Sequence, residues 1–320
     1  MNEKQLTYFL RIAEEGSFSI AAAILGVDQS SLSRNIRYLE ENIGEKLFHR
    51  TGRGVTLTDT GTEFQDVAKR FLEDVEDIRQ RVESGSDELR GVVSLGAVQF
   101  IGESFLPRCL ARFKKTHPNV LVQVGGGGSG IIQEMLLRGR VDIGILYDTA
   151  ISMELIAEPI FEDRLILFGS TRVAKRYGLS PMQKLRLPQL EDIPLITSSR
   201  RHGMRRAIDS AARRTGSRLN IVYESDSLVT SRKLAMLGEA FSITPFGAVS
   251  EMLGNPDVFG APLDEPGLVA SFSLATPRNH ELKRGARELI AVIRQEFRRF
   301  GQELESRFRE MEEETRGKGR

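Results

Sequence analysis

The usable chemistry of this 320-residue chain is gathered on one short helix as hydroxyls and guanidinium groups. In the run DQSSLSRNIRYLEENI, Leu32, Ile36, Leu39 and Ile43 recur at helical spacing and form an apolar stripe that needs a core. At about 100° per residue, Ser30, Ser33, Arg34 and Arg37 share the opposite side. That combination suits phosphate oxygens and base edges. Catalytic chemistry is not legible: there is no Ser-His-Asp set, no paired carboxylates and no GxxxxGK[ST] phosphate loop. The four histidines, His49, His117, His202 and His280, have no metal-ligand spacing. The single cysteine, Cys109, rules out an intrachain disulfide and agrees with a reducing compartment. It shares a helix face with Leu106, Leu110 and Phe113, which reads as a small buried apolar residue rather than a redox sensor. The expectation is a chain that is not an enzyme and takes no metal or cofactor.

The elements needed to position such a helix flank it. Leu6, Phe9, Leu10 and Ala13 give a first helix ended by Gly16, and Ser17 caps a second in which Phe18, Ala21, Ala22 and Leu25 face inward. Gly26-Val27 turns the chain into the third helix, with Asp28 as N-cap and Gly44 as the stop. This is a helix-turn-helix arrangement. Lys46 to Arg50 and Val55 to Leu57 then read as two strands around Thr51-Gly52-Arg53-Gly54, a wing. Residues 1–58 carry seven Lys/Arg and seven Asp/Glu, so bulk charge announces nothing. Placement does: no acid lies between Asp28 and Glu40 or between Glu45 and Asp59, which leaves Arg34, Arg37, Lys46, Arg50 and Arg53 on one expected surface.

Behind the wing the hydrophobic period becomes 3.5. Phe64, Phe71 and Ile78 are spaced by seven, and Ala68, Val75 and Val82 form a second such series. A seam with nothing in its own chain to pack on implies a second copy. Ser84-Gly85-Ser86 breaks the pattern. From Gly91 apolar strands alternate with helices: Val92 to Ala97, Phe105 to His117, Val120 to Val124, Ile131 to Arg138, Val141 to Leu146. A second series runs from Ile193 to Thr244, which predicts parallel sheet covered on both faces. Leu165-Phe168 and Val269-Leu274 read as crossings between two lobes.

Two loops in this part invite ligands. Gly125 to Gly130 satisfies GxGxxG after a strand, with Asp148 where a ribose-binding acid belongs, so an NADH-sensing or dehydrogenase-like protein stands as the alternative. Thr197-Ser198-Ser199-Arg200-Arg201-His202-Gly203 leads into a helix at Met204, and free amides, hydroxyls and cations there suit an anion. The competing reading makes Arg200, Arg201, Arg205 and Arg206 a solvated rim. With 40% hydrophobic and 28% charged residues and no run of 18 apolar residues, neither a membrane span nor a leader is expected, and the expected location is cytoplasmic.

The segment SFSIAAAILGVDQSSLSRNIRYLEENIGEKLFHRTGRGVTLTDTG resembles the N-terminal domain of LysR-type transcriptional regulators, in register through the Thr58-Asp59-Thr60-Gly61 junction. The order of segments continues the likeness to about residue 302. Ser31 departs from the proline of many members, and Phe100 from a small polar residue. The resemblance implies an all-α winged helix-turn-helix at 1–58, a linker and dimerisation helix at 59–88, and an α/β effector domain at 89–302. That domain would hold two Rossmann-like lobes, like a periplasmic binding protein, lobe I at about 89–162 plus 270–302 and lobe II at about 163–269. It implies DNA contacts from Ser17, Gln29, Ser30, Ser33, Arg34, Arg37, Arg50 and Arg53. It further implies an effector cleft formed by Gln99, Phe100, Ile101, Ser129, Tyr147, Ser198, Ser199, Arg200, His202, Thr244 and Phe246. The implied partners are double-stranded operator DNA, a small-molecule effector, a second copy, two dimers joined as a tetramer, and RNA polymerase. Residues 303–320, past the usual family end, read as a solvated, charged helical tail.

Overall fold

In a computed structural model that describes residues 1–52, 54–84, 88–147, 151–279 and 281–318, the chain divides into two units. One holds Met1–Val93 with Asn119–Leu121 and Arg138–Arg140, and the other the rest. Arg53, Asp148 and His280, singled out in the sequence, lie outside the described residues.

Helix caps written into the sequence shape the first unit. Helix α1 (Glu3–Glu15) opens on a capping box, Asn2 and Gln5 each accepting from the other's amide, and stops at left-handed Gly16. In α2 (Phe18–Leu25) the Ser17 hydroxyl accepts from the Ile20 amide. Asp28 does occupy the N-cap of α3 (Gln29–Ile43), but its side chain makes no capping bond; Gly44 ends the helix as expected. Leu6, Phe9, Ile12, Leu32, Ile36, Leu39 and Leu47 fill the core, each worth roughly 1.5–3 kcal/mol on burial. The wing is an antiparallel pair, β1 (Phe48–Thr51) and β2 (Gly54–Leu57), in register Phe48 to Leu57.

Helix α4 (Asp59–Ser84) follows a junction that Gly61 makes possible: a Cβ there would stand 2.1 Å from the Leu47 carbonyl oxygen. The expectation that the heptad seam has nothing in its own chain to pack on is corrected at its start. Phe64 meets Phe9 edge-on at 5.0 Å and Ala68 is buried, because the first turns of α4 lie on α1 and the three-helix core. Farther along, Phe71 is 46% and Ile78 57% exposed, while Val75 is half-buried. The Val82 side chain lies outside the description.

In the second unit strands and helices alternate. The order is β3 (Gly91–Ala97), α5 (Gln99–Ser104), α6 (Leu106–Thr116), β4 (Val120–Gly126), α7 (Ser129–Leu137) and β5 (Ile143–Tyr147). Next come β6 (Leu155–Ser170), α8 (Thr171–Arg176), β7 (Leu195–Thr197), α9 (Gly203–Thr215), β8 (Ile221–Glu224) and α10 (Leu228–Leu237). Then follow β9 (Phe241–Pro245), β10 (Val258–Pro262), β11 (Val269–Pro277) and α11 (Arg284–Lys318). The sheet runs β4-β3-β5-β11-β6-β9-β7-β8, with β10 also on β6. Strands within a lobe run parallel, β3 to β5 and β7 to β8 and β9, as the apolar runs predict.

The sheet as a whole is mixed, because the crossing strands, whose direction the sequence left open, are antiparallel to their neighbours. Strand β6 is much longer than the four residues expected. Its first part pairs with β11 and its last part with β9 and β10, and the partner changes at Arg164/Leu165. Glu158, Glu162, Asp163 and Arg164 interrupt the apolar pattern and hid this length. The solvated tail is overturned: α11 continues unbroken through residues 303–318, and Leu304 and Phe308 are buried within the unit.

Candidate nucleic-acid interface and effector cleft

Because Leu32, Ile36 and Leu39 are anchored in the core, α3 turns its other side to solvent. Gln29, Ser30, Arg34 and Arg37 are exposed and Ser33 is half-buried. The Arg34 Nε donates to the Ser30 carbonyl at 3.4 Å, while Arg37 pairs with Glu41 at 3.0 Å. Arg50 is exposed on β1, and Ser17 is committed to capping α2. Lys46 is exposed as expected and donates to Glu40 at 2.6 Å, and Glu40, itself buried, also accepts from the Leu47 amide at 3.0 Å. Glu40 therefore fastens the wing to the recognition helix. Sequence reasoning missed Tyr38, 60% exposed and one turn beyond Arg34; carrying the i+4 rule one step on would have found it.

The second site lies between the lobes, outside the carboxyl ends of β3, β5, β7 and β8, where loops of an α/β sheet gather ligands. Of the expected residues, Gln99, Phe100, Tyr147, Ser198, His202 and Thr244 line a cavity of about 40 Å³, room for roughly three waters. Contacts across the cleft hold it nearly shut. The Leu228 amide donates to Gln99 Oε1 at 2.8 Å, Arg232 pairs with Glu103, and the Tyr147 and His202 rings meet edge-on at 5.0 Å. Burial holds the His202 imidazole below its ordinary range, with Arg206 adding to the effect and Asp226 opposing it. Ser198 Oγ, His202 Nδ1 and Thr244 Oγ1 are buried without a hydrogen-bond partner among the described residues.

The other expected cleft residues are not part of this lining. Ile101 is core, and Ser129 is buried with its hydroxyl accepting from the Tyr147 amide at 3.1 Å, so it supports the site from behind. Ser199 is held by Asp226, through both its amide and its hydroxyl at 2.8 Å. Arg200 is exposed away from the lining, and Phe246 is turned to Phe308 of α11. Phe246 follows the β9 residues that do line the cleft, and its side chain points the other way; Pro245 forms the wall instead. Arg205 is not part of a solvated rim. It is 3% exposed, pairs with Asp209 and Glu224, and donates to Thr197 Oγ1 and the Ser198 carbonyl, which fixes the loop that carries Ser198. Asp226, Met204 and Ser225 also line the cleft and were missed. The signal for Ser225 and Asp226 was their place at the carboxyl end of a strand, just before a capped helix.

Two other residue readings can be placed. Cys109 is fully buried and its thiol is pushed up to about 12, first by burial and then by Glu296. The glycine loop ends β4, which is the outer strand of the sheet rather than a switch point, and its Gly127 amide donates to the Ala97 carbonyl. Among the described residues no helix is long and apolar enough to cross a membrane.

Comparison with known proteins fits this geometry. The model for the LysR substrate binding domain matches residues 86–298, and the model for the bacterial regulatory helix-turn-helix protein, lysR family, matches residues 4–62. The chain is 28% identical over 293 residues to the HTH-type transcriptional regulator BbuR of Bordetella bronchiseptica, covering 92% of this chain and 89% of that one. It is 30% identical over 280 residues to the HTH-type transcriptional regulator AlsR of Bacillus subtilis, covering 86% and 90%. The fold matches full-length CbnR complexed with its target DNA, at a TM-score of 0.69 and 21% identity over 92% of this chain and 100% of that one. It also matches HinK, a LysR family transcriptional regulator from Pseudomonas aeruginosa, at a TM-score of 0.55 and 23% identity over 92% and 98%. None of these likenesses supports the dinucleotide reading. With both domains matched in order along most of its length, the chain belongs to the LysR family of transcriptional regulators, with an N-terminal helix-turn-helix and an effector-binding domain.

Proposed function

We propose that the chain is a homodimeric operator-binding regulator, able to pair into tetramers, whose DNA affinity is set by a small acidic metabolite held between the lobes. It works by binding and not by catalysis, in the cytoplasm, with RNA polymerase as a further partner at the promoter. Gln29, Ser30, Ser33, Arg34 and Tyr38 would read the major groove, with Arg37, Arg50 and Arg53 on the backbone or the neighbouring minor groove.

The observation that carries the effector reading is the convergence of Ser198 Oγ, His202 Nδ1 and Thr244 Oγ1, all buried and unpartnered, on one wall of the cleft. Each such atom costs about 1–3 kcal/mol until a ligand satisfies it. Helix α9 has no side-chain cap at His202, so its first amides favour an acid. Phe100 and Pro245 offer the apolar surface.

The test is a thermal-shift screen of small carboxylates on the full chain, paired with mapping of its genomic binding sites. A metabolite that stabilises the wild type should lose about tenfold in affinity or more in both Ser198→Ala and Thr244→Ala, a loss of about 1.4 kcal/mol. Unchanged affinity in both variants would move the site elsewhere.

A further inference from the structure

The last turns of α11 bridge the two lobes. On the lobe I side, Phe297 stacks on Phe105 at 3.6 Å, and Glu303 accepts from both Arg108 terminal nitrogens at 2.6 and 2.9 Å. From the next residue on, Leu304 and Phe308 land on lobe II. Phe308 meets Phe246 edge-on at 5.2 Å and lies 4.4 Å beneath the Arg164 guanidinium, which also pairs with Glu305. Leu304 covers Gly247 so closely that a Cβ on the glycine would stand 2.8 Å from Leu304 Cδ1, 3.0 Å from Phe100 Cζ and 3.2 Å from Asp163 Oδ2. Gly247 is thus where the helix end, a cleft residue and a carboxylate at the crossing strand abut. Its own amide donates to Asp163 at 2.8 Å.

We propose that residues 303–315 of α11 are a strap that locks the lobes in the closed arrangement, so that opening the cleft requires Leu304 and Phe308 to leave the Phe246-Gly247 turn. An α-helix is stiff over these few turns, and β6 changes partners at Arg164/Leu165, beside the strap. Any rotation of one lobe about that point must break the strap's lobe II contacts, since its lobe I contacts lie on the same rigid rod. The cleft wall at Thr244-Pro245 continues directly into the turn that the strap holds. A cavity of about 40 Å³ admits a metabolite only after such opening, so the strap sets how often a ligand can enter. Its purpose rests on the effector reading above, but its test needs no effector.

Hydrogen–deuterium exchange of the full chain is compared between wild type, Leu304→Ala and Phe308→Ala. The Gly247 and Val249 amides should lose protection about tenfold or more. So should the Leu228 amide, which bridges the cleft to Gln99, while Ser129–Leu137 in lobe I stays unchanged. Phe308→Leu should restore most of the protection. If Phe308→Ala instead loses protection throughout Ser129–Leu137, the fold is lost, and the milder Leu304→Val carries the same comparison. A change confined to Gly247 and Val249 with Leu228 untouched would reduce the strap to a local contact and overturn the proposal. So would wild-type amides at 303–315 that exchange as a free helix does.

Discussion

Arg34 and Arg37 differ in what already engages them. Arg37 shares its charge with Glu41 across an exposed i,i+4 pair, whereas the contact of Arg34 is with a carbonyl of its own helix. Arg34→Ala should therefore cost operator affinity about 1–3 kcal/mol and relax specificity at one base position, while Arg50→Ala should weaken all sequences alike and lessen the salt slope by about one. Fluorescence anisotropy across a salt series reads both, and operator affinity within about twofold of wild type for Arg34→Ala would place recognition elsewhere. Asp163 gives a second prediction at this scale. Burial pushes its carboxyl up to about 7, against hydrogen bonds from the Gly247 and Arg164 amides and the Arg164 charge. Burial, with the Asp163 charge behind it, also raises the Tyr147 phenol. Since the folded carboxyl holds its proton more tightly than the unfolded one, stability falls as pH rises from about 4 to about 7 and is flat above, by on the order of 4 kcal/mol at most. Asp163→Asn keeps an acceptor for Gly247, so its melting temperature relative to wild type should climb through that window; a difference independent of pH would contradict the buried, proton-holding state.

Helix α4 packs on the reader at its start and is proposed to pair two copies farther along, and substitution should separate the two. Phe71→Asp or Ile78→Asp places a charge where the seam needs apolar contact and should dissociate the dimer while the monomer stays folded, as light scattering would show. Phe64→Ala should leave assembly intact and instead destabilise the reader, by up to about 3 kcal/mol, because that ring packs on Phe9. An unchanged mass for Phe71→Asp would refute the seam. The same helix shows what a sequence can convey. Helices α1 to α3 were legible because Ser17, Asp28 and three glycines mark their ends and the apolar residues between them recur at helical spacing. The seam's periodicity was legible as well, but Phe64 and Ala68 satisfy a heptad and a tertiary core equally, and spacing does not distinguish the two. Strand β10 and helices α5 and α8 were too short to announce themselves, and charged positions concealed the length of β6. In the cleft, Ser198 and His202 followed from a strand end and a helix start, and Thr244 from the family resemblance. Phe246 did not, since the chain turns just past β9 and carries that ring toward Phe308 instead. The docking of Leu304 and Phe308 was hidden because two apolar residues amid dense charge look the same on a free helix and on one packed against another element.

At the scale of the whole molecule, a helix-turn-helix reader and a cleft with unpaired hydroxyls are informative only if their binding equilibria are linked. A ligand shifts a two-state protein only by its differential affinity for the two states, so tight binding alone changes nothing at the operator. The coupling expected is about 1–3 kcal/mol, or roughly 5- to 150-fold in operator affinity. Linkage makes it reciprocal: operator DNA must change affinity for the effector by the same factor and in the same direction. The experiment titrates the carboxylate found by thermal shift into the free chain and into its complex with operator DNA, by calorimetry, and separately titrates operator with and without that compound. Equal ratios from the two halves of the cycle are expected, and strap variants that ease cleft opening should raise affinity for the effector in both. Identical effector affinities with and without operator would show a cleft that binds its ligand without informing the reader, and the regulatory role would then have to enter through another surface.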